Sequence, residues 1–201
     1  MDSLKTIVIG NQTLKITNDS HSDSPRTWCN LSKMLFFGNQ KHFGDSHTTE
    51  IGNVESREEF KTVILERLKR KLKLAYIMPV NMYKHSGVSL STSDEYPYNC
   101  KWDSGTIGFI TVSKEKIRNE YNIKRVTKKR IKQVEEIALS ELSTLNSWLN
   151  NEVYHFEVTD NDTDDVIDSC GGFIGLDFET NGILDYVDDK FHAELKGGQI
   201  S

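Results

Sequence analysis

Residues 127–170 read TKKRIKQVEEIALSELSTLNSWLNNEVYHFEVTDNDTDDVIDSC, and the change of period inside this stretch decides the fold class. Thr127 offers a helix cap. Ile131, Val134, Ala138, Leu142, Leu145 and Leu149 then recur three or four residues apart, giving one apolar helical stripe that ends in the bulk of Trp148. From Val153 to Val158 apolar and polar residues alternate, the period of a half-buried strand. Asp160–Asp164 is turn-forming, and Val166–Cys170 returns as strand, with Phe173–Leu176 continuing it. A helix followed at once by a tight hairpin is an α+β signature, because parallel strands need a long crossover between them.

The surrounding sequence fits the same class. Thr6–Ile9 and Thr13–Thr17 flank Gly10-Asn11, the pattern of a hairpin. Trp28–Phe37 is expected as a short helix or irregular core segment, and Gly38–Asn53 as a loop. Ser56 and Glu59 form a capping box ahead of Phe60, Val63, Ile64, Leu68 and Leu72 at helical spacing. Leu74–Tyr83 and Gly105–Val112 favour strands, and Pro79 marks an edge or a bulge in the first. Ser86–Pro97 between them is expected as a polar loop. Ser113 caps a short helix to about Tyr121, and Gly182 precedes an expected last helix, Ile183–Leu195. The expected fold is α+β: a mixed, mainly antiparallel sheet packed against two or three helices. We expect one domain over 1–201, with subdivision near 55 and 150 left open.

With 36% hydrophobic and 9% aromatic residues, the 201-residue chain carries enough apolar surface for a core. Cys29, Cys100 and Cys170 are odd in number and far apart, which suits a reducing compartment and not a disulfide framework. The apolar run near the N-terminus is too short for a signal peptide, and no stretch approaches a membrane span. A cytoplasmic protein is expected.

Charge is unevenly distributed. Lys61–Lys132 holds 17 Lys/Arg against six Asp/Glu, whereas Gln133–Asp189 holds 15 Asp/Glu and no Lys or Arg. Sign asymmetry of this kind bears on partners. The plain reading is two solvated faces. A second is a nucleic-acid patch on the basic helices, including Lys69, Arg70, Lys71, Lys73, Lys124, Arg125, Lys128, Lys129, Arg130 and Lys132. A third is an acidic surface that imitates a phosphate backbone, formed by Glu135, Glu136, Glu141, Glu152, Glu157, Asp160, Asp162, Asp164, Asp165 and Asp168.

No complete catalytic signature is present. Asp160-x-Asp162-x-Asp164 begins like a calcium loop, but Asp165 stands where Gly is required and Gly171 where Glu is required. An acidic hairpin turn is the expected reading. His42, Asp45 and His47 share a loop that could hold a metal or an acid–base pair if His85 approached. Polar side chains packing locally are the plainer account. Cys100, Trp102, Asp103, Ser104, His85 and Ser86 flank strands, without a GxSxG elbow. Turn formation explains them, with Gly105 supplying unusual dihedrals. Gly171-Gly172 after Cys170 could cradle phosphate or form a bulge.

Six segments together carry a resemblance: Ser24–Trp28, Phe36–Asp45, Met82–Val88, Cys100–Ile110, Trp148–Tyr154 and Asp168–Phe173. They resemble a protein family widespread in bacteriophages and other mobile elements, with a WDSGxxGFI … WLxGxVY … DSCWGF pattern, over roughly residues 13 to 187. Asn150 or Asn151 replaces the usual Gly of the second segment, and Gly171 or Gly172 the large aromatic of the third. The resemblance implies a phage context. The expected function is that of a phage accessory protein that counters a bacterial defence system by binding a host defence protein or complex, with no cofactor and no metal. The expectation leans away from an enzyme. One alternative is a sponge or hydrolase for a nucleotide or signal molecule, with His42, Asp45, His85, Ser86, Trp102, Asp103, Ser104 and Cys170 as its pocket. The other is a phage nucleic-acid-binding protein.

Overall fold

The computed structural model describes residues 3–49, 57–85, 87–92 and 104–196. In chain order its elements are β1 (Lys5–Ile9), β2 (Gln12–Asn18), β3 (Lys33–Phe36), α1 (Arg57–Leu72), β4 (Leu74–His85), β5 (Gly87–Ser91), β6 (Ser104–Ser113), α2 (Lys114–Tyr121), α3 (Lys128–Leu149), β7 (Val153–Asp160), β8 (Val166–Ile174) and α4 (His192–Lys196), with short 3-10 turns between them. The fold is α+β, with two four-stranded sheets, each wholly antiparallel. Contacts divide the chain into two compact units: residues 1–25 with 147–201, and residues 26–146.

The first unit holds the sheet β1-β2-β7-β8. Gly10, at φ +61°, makes the two-residue turn between β1 and β2, where Ile9 faces Gln12. The period of two then sorts the side chains. Ile7, Leu14, Ile16, Phe156 and Val158 point into one core, while Thr6, Lys15 and Glu157 lie on the opposite face. The core is closed by the stretch 178–195, which contributes Phe178, Ile183, Val187, Phe191 and Leu195. This stretch is not the expected helix Ile183–Leu195. It is two 3-10 turns, Ile183–Asp185 and Asp189–Phe191, followed by the short α4. Asp188 accepts the Lys190 amide instead of joining a helix, a competition that short acidic side chains win near turns.

The second unit holds the sheet β3-β6-β4-β5. Its centre is β6, buried from Ile107 to Val112, with α1 packed on it through Ile64 and Leu68 against Leu35 and Phe109. Gly108 is required there. A Cβ on it would lie 2.1 Å from the Leu35 carbonyl oxygen, so only glycine lets β3 approach. Pro79 stands on β4 ahead of Asn81, where β5 pairing begins, and beside a register shift at Val80/Asn81. A missing amide is tolerated at such a position. Gly105 lies in extended β6 opposite Met82, so it does not supply the expected unusual turn. Ser113 and Thr127 cap α2 and α3 by accepting the Lys116 and Arg130 amides.

Two further segments differ from expectation. β3 is a strand and not a short helix, because Met34, Leu35 and Phe36 are all buried and such a run carries no period. β5 forms inside the expected loop 86–97. Val88 and Leu90 alternate with serines, so the strand period was hidden by composition. The capping box at Ser56 lies outside the described residues.

Candidate functional site

Asp45 is the best-placed residue of the expected pocket, and it is structural. Its Oδ2 accepts from Arg26 Nη2 at 2.7 Å, from Arg26 Nε at 3.1 Å and from the Met34 amide at 2.7 Å. The Arg26 side chain is only 4% exposed. It also donates to the Ser32 carbonyl at 2.8 Å and faces Glu141 at 3.5 Å. Glu141 accepts from the Leu31 and Ser32 amides and from the Ser32 hydroxyl. One guanidinium and two carboxylates thus fasten β3 and the segment before it to α3. A buried cation needs this degree of pairing. His47 donates from Nε2 to the Phe36 carbonyl at 2.7 Å, and its buried Nδ1 has no hydrogen-bond partner among the described residues. The His42 ring lies tilted against that of Phe43, with centroids 3.9 Å apart. Among the described residues no group of three acidic, His or Cys side chains could hold a metal ion.

Cys170 lies in the first unit, packed at the margin of that core, whereas His42 and Asp45 belong to the second. His85, Ser86, Trp102, Asp103 and Ser104 fall outside the residues whose side chains are described, as does Cys100. The glycine pair after Cys170 admits a carboxylate of the protein itself. Gly172, at φ +85°, donates its amide to Asp19 Oδ2 at 3.1 Å. A Cβ on Gly171 would stand 2.8 Å from that oxygen.

The ten acidic residues are divided between the two units. Glu135, Glu136 and Glu141 lie on α3 in the second unit, and Glu141 is consumed by Arg26. Glu135 sits close enough to Tyr76 to add to the effect of burial, which together push that phenol up to about 12. The Tyr76 hydroxyl is buried and has no hydrogen-bond partner among the described residues. The other seven, Glu152 to Asp168, belong to the first unit. Asp160 organises the β7–β8 turn by accepting from the Asn11 side chain and the Asp162 amide. Asp162, Asp164, Asp165 and Asp168 are exposed on that hairpin. The turn is an acidic hairpin, with Asp164 in the left-handed region at φ +59°.

The two units therefore carry opposite charge. The first has 16 Asp/Glu and four Lys/Arg, net −12, and the second 14 Asp/Glu and 21 Lys/Arg, net +7. Within the second unit a cleft of about 1370 Å³ runs between residues 28–33, the end of α1 and the start of α2. Lys33, Lys69, Lys73, Lys114, Lys116 and Arg118 line it, against Asp45 and Glu115. Trp28, 52% exposed, also lines it. Sequence reading singled out Lys69 and Lys73 but neither Trp28 nor α2 as a site. Their only signal was an indole beside a turn, with no periodicity to say that it faces solvent.

No protein-family model matches the chain, and neither do the curated proteins or the solved structures. None of the described helices is long and apolar enough to cross a membrane.

Proposed function

We propose that this is a phage accessory protein that acts by binding in the host cytoplasm. Its acidic unit takes the place of nucleic acid on a basic surface of a host defence protein. The observation that supports this reading is the concentration of charge in one architectural unit, net −12, with Asp162, Asp164, Asp165 and Asp168 exposed on a single hairpin. Carboxylates held out on a rigid hairpin meet a basic groove by the same complementarity that a phosphate backbone uses. The phage context is what the sequence resemblance implies.

The test is capture from a host carrying defence systems, with the tagged chain and a variant in which Asp162, Asp164, Asp165 and Asp168 are all changed to Asn. The expected result is one nucleic-acid-binding protein retained stoichiometrically by the parent chain, released by salt, and retained at least tenfold less by the variant. Equal capture by both chains would overturn the proposal.

A further inference from the structure

We infer that the cleft of the second unit is a binding site for single-stranded nucleic acid, in which Trp28 stacks on a base and the surrounding cations hold the backbone. At about 1370 Å³ the cleft exceeds the roughly 300–1,000 Å³ that encloses a small ligand, so an extended one fits it better. Its rim is cationic: six Lys/Arg face two carboxylates, one of which, Asp45, is already engaged by Arg26 and the Met34 amide. Lys69 and Lys116 sit in exposed pairs with Glu66 and Glu120 on their own helices. Pairs of this kind hold side chains weakly, so a phosphate competes with them readily.

The aromatic decides between polyanions. Trp28 leaves half its surface in solvent, yet its backbone is fixed, since its carbonyl accepts from both the Asn30 amide and the Asn30 side chain. An exposed indole among cations is the combination that binds unpaired bases, whose faces a duplex keeps stacked away. Lys73 adds a second, independent observation. It occupies the left-handed region at φ +46°, a conformation that glycine or asparagine adopts more easily. Among the described residues the other non-glycine positions with positive φ are Asn122, Asn151 and Asp164. Lys73 stands at a strained bend, where its carbonyl accepts the Lys114 amide and joins the ends of two helices on the cleft.

The experiment is fluorescence anisotropy of a labelled twelve-residue oligothymidylate with the full chain between 50 and 200 mM salt. Binding is expected to weaken with salt, with a log–log slope of up to about −4 if all six cations meet phosphates. Trp28→Ala, at a half-exposed position, should weaken binding on the order of 5- to 150-fold, and Trp28→Phe should recover much of it. Lys73→Gly should flatten the slope by about 0.7 while the fold persists. No binding at 50 mM salt, tighter binding of a duplex of the same length, equal binding by Trp28→Ala, or displacement by polyglutamate as effective as by unlabelled oligothymidylate would each overturn the inference. These outcomes are separate from loss of protein capture by the acidic hairpin, which lies in the other unit.

Discussion

The two units each carry a four-stranded antiparallel sheet but stabilise it by different means. In the first, the strands present one apolar face, and an irregular tail covers it with five large side chains spaced four or five residues apart. Its opposite face is polar, as antiparallel sheets allow. In the second, β6 is buried throughout its middle, and a desolvated Arg26–Asp45–Glu141 cluster ties the segment around β3 to α3. The first unit rests on apolar area and uses carboxylates such as Asp160 and Asp188 to order its turns. The second holds two carboxylates and one cation, Arg26, in a shielded cluster. Charge asymmetry along the sequence thereby becomes asymmetry between units.

The largest expected effect tests that difference directly. Arg26→Ala leaves Asp45 and Glu141 without their cation in a shielded site, which should destabilise the second unit by about 3–5 kcal/mol. Hydrogen exchange should show β4 and β6 losing protection while β2 and β7 keep theirs. Equal loss in both would mean that the units unfold together. The counterpart in the first unit is milder. Asp19→Ala removes a half-buried acceptor from the Gly172 and His21 amides, and the melting transition should report about 1–2 kcal/mol, confined to β7–β8.

Smaller effects sharpen the contrast. Tyr76 in the second unit is held protonated to about pH 12, against 10 when unfolded. Its folded pKa is the higher, so that contribution is intact below pH 10 and is lost as pH rises from 10 to 12. Tyr76→Phe should remove that alkaline loss. At pH 7 it should be neutral or stabilising by about 1 kcal/mol, since it deletes an unpaired buried hydroxyl. A stability loss of 2 kcal/mol or more at pH 7 in chemical denaturation would show that the hydroxyl is paired. The smallest change is Lys73→Gly, expected to raise stability by at most about 1 kcal/mol, because relief of the left-handed strain is partly offset by glycine's entropy.

Much of this was legible in the sequence where a signal was local. Thr127 and Ser113 cap the helices they announce, and the shift from a period near four to a period of two after Leu149 marks the passage from α3 to β7. β3 was not legible, because Met34-Leu35-Phe36 is buried on all sides and has no period. The tail was misread because its apolar spacing suits a helix while its aspartates favour turns. The Arg26 cluster joins residues 19 and 115 positions apart, and nothing local in a sequence marks such a pair. The same holds for Trp28 and the cations of α2. The acidic turn at Asp160 was legible from its turn-forming residues, and the Asp160 carboxylate orders it.

The first unit is made from two separate stretches, 1–25 and 147–201, and Leu14 pairs with Val158 although the whole of the second unit lies between them in sequence. Synthesis therefore imposes an order. β1 and β2 leave the ribosome as a lone hairpin, which is marginal in water. At about 5–20 residues added per second they wait on the order of ten seconds for β7. Residues 26–146 are complete before then and can close their own sheet first. The sheet of the acidic unit therefore closes after the basic unit can fold, with β1 and β2 waiting for β7 and β8.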